Sequence, residues 1–147
     1  MAFTLTIDGA KSVIRASEGR EPGPGHTLER HVNITRENLY RRTETVVTRG
    51  EALFFAAFID LNDCAQALCD TLIALAADPF IDGFDRQPDG AERNFQRIAI
   101  PRSFRVRYGA GAGIMPAHNS FSLALVRMSG RPHSAHIITF YPAFPEL

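Results

Sequence analysis

One lysine stands among sixteen basic residues, tryptophan is absent, and the only cysteines are Cys64 and Cys69. The two cysteines are five apart in a stretch that reads as helix, which turns them about 140° from each other. A mutual disulfide is therefore not expected, and two thiols without neighbouring ligands make a poor zinc site. The fold must stand without disulfides, as suits action in a reducing compartment. No apolar run reaches the roughly 18 residues of a membrane span. Asp8, Lys11, Arg15, Glu18 and Arg20 interrupt the first twenty residues, so a signal peptide is not expected and export would need another carrier. Formal net charge is zero, which argues against indiscriminate coating of nucleic acid. The charge is unevenly spread, however. Residues 1–95 hold ten basic and fifteen acidic side chains, whereas 96–147 hold six arginines against Glu146 alone. Arginine is the side chain best shaped for bidentate phosphate contacts.

Residues 1–24 open on the alternating FTLTID and close on EGREPGPG. That Pro/Gly cluster breaks regular structure, so the segment reads as an arm or linker ahead of one domain over 25–147. Thr27 is a candidate N-cap for a short helix over 27–32, and Thr35 for a second over RENLYRRTE, with Leu39 turned inward. ALFFAAFID (52–60) is a continuous apolar run whose aromatics favour a strand. LNDCAQALCDTLIALAAD (61–78) sets Leu61, Ala65, Leu68, Leu72 and Leu75 at three- and four-residue steps, which predicts a helix. Residues 79–94 contain two Pro and two Gly and read as a surface loop. FQRIAI, FRVRY, FSLALVRM and SAHIITFY are strand candidates, with YGAGAGIMPAHNS and SGRPH as separators. Helices followed by an antiparallel meander predict an α+β domain.

Several chemistries lack their signatures. His26 and His31 in GHTLERHV are at i and i+5, a spacing that one helical face does not present together. H-E-x-x-H and C-x-x-C do not occur, and no metal site is expected. There is no G-x-S-x-G elbow, and the glycines of RYGAGAG do not form G-x-G-x-x-G ahead of a helix. The last strand carries more. In IITFYP, Thr139 and Tyr141 share one face of an extended chain, while Ile138 and Phe140 face a core. The same alternation puts His136 opposite Tyr141, and His133 falls in a turn.

Taken in order, GHTLERHV, LYRR and ITFYP resemble the bacterial ribonuclease A-like toxin domain, found at the C-terminal ends of contact-dependent growth-inhibition and other polymorphic toxins. AAFIDLNDCAQAL resembles the family's middle segment and RYGAGAGIM its glycine-containing loop, so the likeness runs from about residue 25 to 143. Asn33-Ile34 stand where the family often has Gly-Lys, and the 79–95 loop and the lack of tryptophan also differ from many members. The resemblance implies an α+β, ribonuclease A-like fold without disulfides, with N-terminal helices packed on a curved antiparallel sheet. It places the family's catalytic histidine on His31, its helix arginine on Arg42, and its last-strand threonine and tyrosine on Thr139 and Tyr141. It implies a metal-independent endoribonuclease toxin without cofactor. Such a toxin is delivered within a larger effector or by secretion machinery, acts on RNA in the target-cell cytoplasm, and is countered in the producer by an immunity protein.

Those four side chains suit RNA cleavage through the neighbouring 2′-hydroxyl, which leaves a 2′,3′-cyclic phosphate and a 5′-hydroxyl. A base takes the 2′ proton, an acid protonates the leaving oxygen, and a cation balances charge on phosphorus. Histidine, with an unperturbed pKa near 6.5, exchanges protons around neutrality, and His31 suits either proton role. Arg42 stays charged and can fork onto phosphate, Tyr141 can orient or protonate a phosphate oxygen, and Thr139 offers a donor and an acceptor. His26 reads as a cap or structural residue. The rival readings are a catalytically weak domain that binds RNA or a protein, and an unrelated α+β interaction domain.

Overall fold

The computed structural model describes residues 2–51, 55–109 and 114–143, and only the backbone of 114–116. Part of the apolar run at 52–60 and most of the RYGAGAG glycines lie outside the described residues. The first helix, α1 (Ile7–Ser17), falls where the sequence reads as an arm. Thr6 caps it by accepting from the Gly9 N–H at 3.0 Å, and Ala10, Val13, Ile14 and Ser17 are buried along one stripe. The Pro/Gly cluster that follows is folded back rather than extended: Gly25 N–H donates to the Ser17 carbonyl at 3.1 Å, and Gly19 N–H to the Gly25 carbonyl at 2.8 Å. A Cβ on Gly25 would collide with the Ser17 carbonyl, so this crossing admits only glycine. The helical stripe of 7–17 outweighs the breaker signal behind it, because each buried Val or Ile contributes about 1.5–3 kcal/mol.

Next come α2 (Thr27–His31) and α3 (Arg36–Thr48). Thr35 caps α3 through the Asn38 N–H at 3.1 Å, and Leu39 is buried as its pattern predicts. Thr27 does not cap α2; His26 holds the N-cap position without a side-chain bond. The Thr27 hydroxyl is buried and accepts from Phe140 N–H at 3.0 Å, tying the helix to the last strand. The run at 52–60 contributes β1 (Ala56–Phe58), every residue of which is buried. Asp60 then caps α4 (Leu61–Ala74), whose buried face includes Cys64, Ala65, Leu68 and Leu72. Both cysteines are free thiols. The expected loop at 79–94 holds a further turn of helix, α5 (Pro79–Asp82), capped by Asp78, and a 3-10 turn at Phe84–Arg86. Phe80, Ile81 and Phe84 are buried there, so apolar anchors pull a Pro/Gly-rich stretch onto the core.

FQRIAI and FRVRY form one strand, β2 (Glu92–Tyr108), rather than two. Pro101 between them shows as a register shift, with Ala99 opposite Ser120 but Phe104 opposite His118. The remaining strands are β3 (Ile114–Arg127) and β4 (Ala135–Pro142), so β3 starts within the expected separator. The four strands form an antiparallel sheet in the order β1-β2-β3-β4. The chain is thus α+β, without disulfides. Phe58 of β1 stacks on Phe140 of β4 with centroids 5.4 Å apart, so the outer strands face one another and the sheet is curved. Helices α1 and α4 lie against each other over the sheet, and α2 crosses the open end between β1 and β4.

Candidate active site

Five residues of helix do not hold themselves in water, and α2 is fixed from outside. The Glu18 carboxylate accepts from the Leu28 and Glu29 N–H groups at 3.0 Å each. It satisfies two otherwise unpaired donors of the first turn and places negative charge at the positive end of the helix. At the other end, Arg107 of β2 donates to the carbonyls of Val32 (3.3 Å) and Ile34 (2.6 Å). The His26 N–H bonds the Ile138 carbonyl of β4 at 3.2 Å. These ties come from both halves of the sequence and converge on the last residue of α2, His31.

His31 is 4% exposed. Its Nδ1–H donates to the Ala56 carbonyl of β1 at 2.9 Å, which in the neutral ring leaves Nε2 as the acceptor. The ring stacks on Tyr141 at 5.1 Å and on Phe55 at 4.8 Å. Phe55 is itself pinned to α3, its N–H donating to the Thr43 hydroxyl at 3.0 Å. Burial pushes the His31 imidazole down to about 3; the Ala56 bond opposes the shift, and His26, Arg30 and Arg42 deepen it. His31 is therefore uncharged at neutral pH.

On β4, Tyr141 pairs with Ser122 and Thr139 with Ala124, both on the face beneath α2. The Thr139 Oγ1 is buried and has no hydrogen-bond partner. His31, Thr139 and Tyr141 line one cleft of about 310 Å³ together with His26, Arg30 and Arg97. Arg97 enters through a bulge: Phe95 pairs with Leu123 and Ile98 with Phe121, so two residues of β2 face one of β3. Its backbone takes φ 53°, and its N–H donates to the Ser122 hydroxyl at 3.1 Å. A non-glycine residue in that region carries strain of a kind that gathers at functional sites.

Three of the four expected site residues thus meet in one cleft. Arg42 lies next to it. Its guanidinium sits 5.8 Å from the centre of the Phe55 ring, which also stacks on His31, and it lines an adjoining cleft that shares Arg30 with the first. His26 is closer to the chemistry than its spacing predicts. The i, i+5 argument assumes a helix continuing through residue 26, but His26 has φ −138° and ψ 19°, and its ring centre comes to 6.3 Å from that of His31. Burial and Arg30 lower its pKa. Among the described residues no group of three or more His, Cys, Asp or Glu could hold a metal. Arg30 adjoins His31 in the sequence and lines the same cleft, with no motif of its own to mark it. Arg97 depends on a bulge that no local pattern announces.

No family model and no curated protein matches the sequence. A solved structure does resemble it. The crystal structure of a CdiA-CT/CdiI complex from Y. kristensenii 33638 is similar at 23% identity and a TM-score of 0.44, over 81% of this chain and 99% of that one. A likeness that loose fixes neither fold nor chemistry, and the site stands on its own geometry.

Proposed function

We propose that the chain is an endoribonuclease toxin that cleaves RNA by attack of the 2′-hydroxyl on the adjacent phosphate. The observation carrying this reading is His31, neutral and held by Ala56 so that only Nε2 is available to substrate, in the cleft shared with Thr139, Tyr141 and arginine. Nε2 takes the 2′ proton as the 2′-oxygen bonds to phosphorus. The bond to the 5′-oxygen breaks, and the Tyr141 hydroxyl supplies the proton to that leaving group. Arg30 and Arg97 face the charge that grows on the phosphoryl oxygens, with Arg42 behind Phe55 adding long-range positive potential. The unpartnered Thr139 hydroxyl hydrogen-bonds a phosphate oxygen or a base edge. Burial is the main cause of the low imidazole pKa, and Arg30 and Arg42 add to it; a bound phosphate offsets that charged part and so makes His31 a better base when substrate is present. The toxin role, the cytoplasmic target and an immunity partner follow from the family resemblance of the motifs around these residues. Among the described residues no helix is long and apolar enough to cross a membrane.

The test is incubation of purified protein with total RNA and EDTA. The expected products carry 2′,3′-cyclic phosphate ends, and His31→Ala abolishes them. Intact RNA at high protein concentration would sink the proposal, and binding without cleavage would favour the weak-binder reading. In cells, expression should arrest growth, His31→Ala should relieve the arrest, and so should a co-expressed immunity protein.

A further inference from the structure

The adjoining cleft, also about 310 Å³, is lined by Arg30, Arg41, Arg42, Asn38, Thr45 and Glu29, with Ile34 at its apolar side. Three guanidinium groups face one lining carboxylate. Arg30 belongs to both clefts, so the second is continuous with the site of His31. The Arg30 Nε is buried without a hydrogen-bond partner, leaving a charged group with an unfilled donor between the two. Arg41 pairs with Glu37 at 2.6 Å, and both side chains of that pair are largely exposed, at 70% and 74%. An exposed i, i+4 pair is weak and exchanges readily for a better anion.

We propose that this cleft is a second phosphate subsite, which holds the phosphodiester flanking the scissile one in an RNA strand. Guanidinium groups pair with the two non-bridging oxygens of a phosphodiester in fork geometry. Asn38 and Thr45 stand beside them as neutral polar neighbours. The subsite rests on the ribonuclease reading for its ligand but not for its measurement. It gives the protein a reason to prefer strands over dinucleotides, because binding energy is gathered away from the reacting atoms. It also gives Arg42, which lines this cleft and not that of His31, a direct contact on the strand beside its long-range effect on the reacting phosphate.

The test compares wild type with Arg41→Gln, since Arg41 lies outside the proposed catalytic group. Two readouts are taken: cleavage of a dinucleoside monophosphate and of a pentanucleotide, and binding of a non-cleavable 2′-deoxy pentanucleotide across a salt series. Arg41→Gln should leave dinucleotide turnover unchanged and lower pentanucleotide kcat/KM about tenfold, as for loss of one charge-assisted bond. The slope of log affinity against log salt should shrink by about 0.7, the value of one single-strand phosphate contact. Arg41→Lys should restore the slope, and Glu37→Gln, which removes the competing carboxylate, should tighten binding. Equal affinity and equal slope in wild type and Arg41→Gln overturn the subsite, as does an equal loss on both substrates. If the wild type cleaves neither substrate and also leaves total RNA intact, the ribonuclease reading falls, and the 2′-deoxy binding series still decides the subsite.

Discussion

His31 carries two consequences that separate in experiment. As a base it should account for a rate factor on the order of 10²–10⁴, so His31→Gln should lose at least a hundredfold in RNA cleavage. The same substitution should change how stability follows pH. Burial holds the folded imidazole at about 3 against its ordinary 6.5, so between those values the unfolded chain binds the extra proton. Stability is then full above about pH 6.5 and is lost as pH falls toward 3, at up to about 1.4 kcal/mol per unit. His26 and His118 are also shifted down by burial and act in the same direction, so the comparison must be between variant and wild type. Melting temperatures from pH 7 to pH 4 should fall less steeply for His31→Gln; parallel curves would refute the buried neutral state. Thr139 gives a sharper dissociation. Its hydroxyl is buried with no partner, and such a group costs about 1–3 kcal/mol. Thr139→Val should therefore leave stability unchanged or raise it by about 1 kcal/mol while cleavage falls. A destabilised variant would mean that the hydroxyl is bonded in the folded protein.

At the scale of elements, α2 is a short helix whose position is set by partners far away in the chain. Glu18, ten residues before Leu28 in sequence, accepts its first N–H groups, and Arg107 holds its far end. Glu18→Gln keeps an acceptor but removes the charge, and should cost about 1 kcal/mol of stability. It should also lower kcat, because the helix that aims His31 loosens; a melt shifted without any change in kcat would limit Glu18 to a structural part. The same elements show what a sequence can disclose. The apolar steps of 61–78 and the Thr35 cap each express a local rule, and each marks a helix that forms, the first ending at Ala74. The alternation of IITFYP holds for Thr139, Phe140 and Tyr141, but a register shift between Ile137 and Thr139 buries Ile137 in the core and leaves Ile138 half-buried. α1 was concealed because a Pro/Gly cluster directly follows its stripe, and the turn at Pro79–Asp82 because its anchors are aromatic residues inside a breaker-rich segment. The meeting of His26 with His31 and the entry of Arg97 depend on a non-helical N-cap and on a β-bulge. Both are outcomes of packing between segments distant in sequence, which no window of neighbouring residues contains.

For the whole molecule, the question is whether residues 1–24 are an appendage or part of the folding unit. Ala10, Val13 and Ile14 are each no more than 1% exposed, and their helix lies on α4 and β4. The Ser17 hydroxyl receives the Ile137 N–H of β4 at 2.9 Å, the Gly23 carbonyl bonds the buried His136 ring at 2.7 Å, and Glu18 caps the helix of His31. Burying Val13 and Ile14 alone contributes about 3–6 kcal/mol, against a total stability of about 5–15 kcal/mol for an ordinary domain. Deleting residues 1–24 would expose the faces of α4 and β4 beneath α1 and leave the Ile137 N–H and the first N–H groups of α2 without partners. The shortened chain, 25–147, is therefore expected to show no cooperative thermal transition by circular dichroism and no RNA cleavage, although every proposed catalytic residue is present. A shortened chain that melts cooperatively and cleaves RNA at the wild-type rate would return residues 1–24 to the status of a linker. A chain that folds but cleaves poorly would instead place the segment's contribution in the Glu18 contact, and Glu18→Gln in the full chain should then reproduce the same loss.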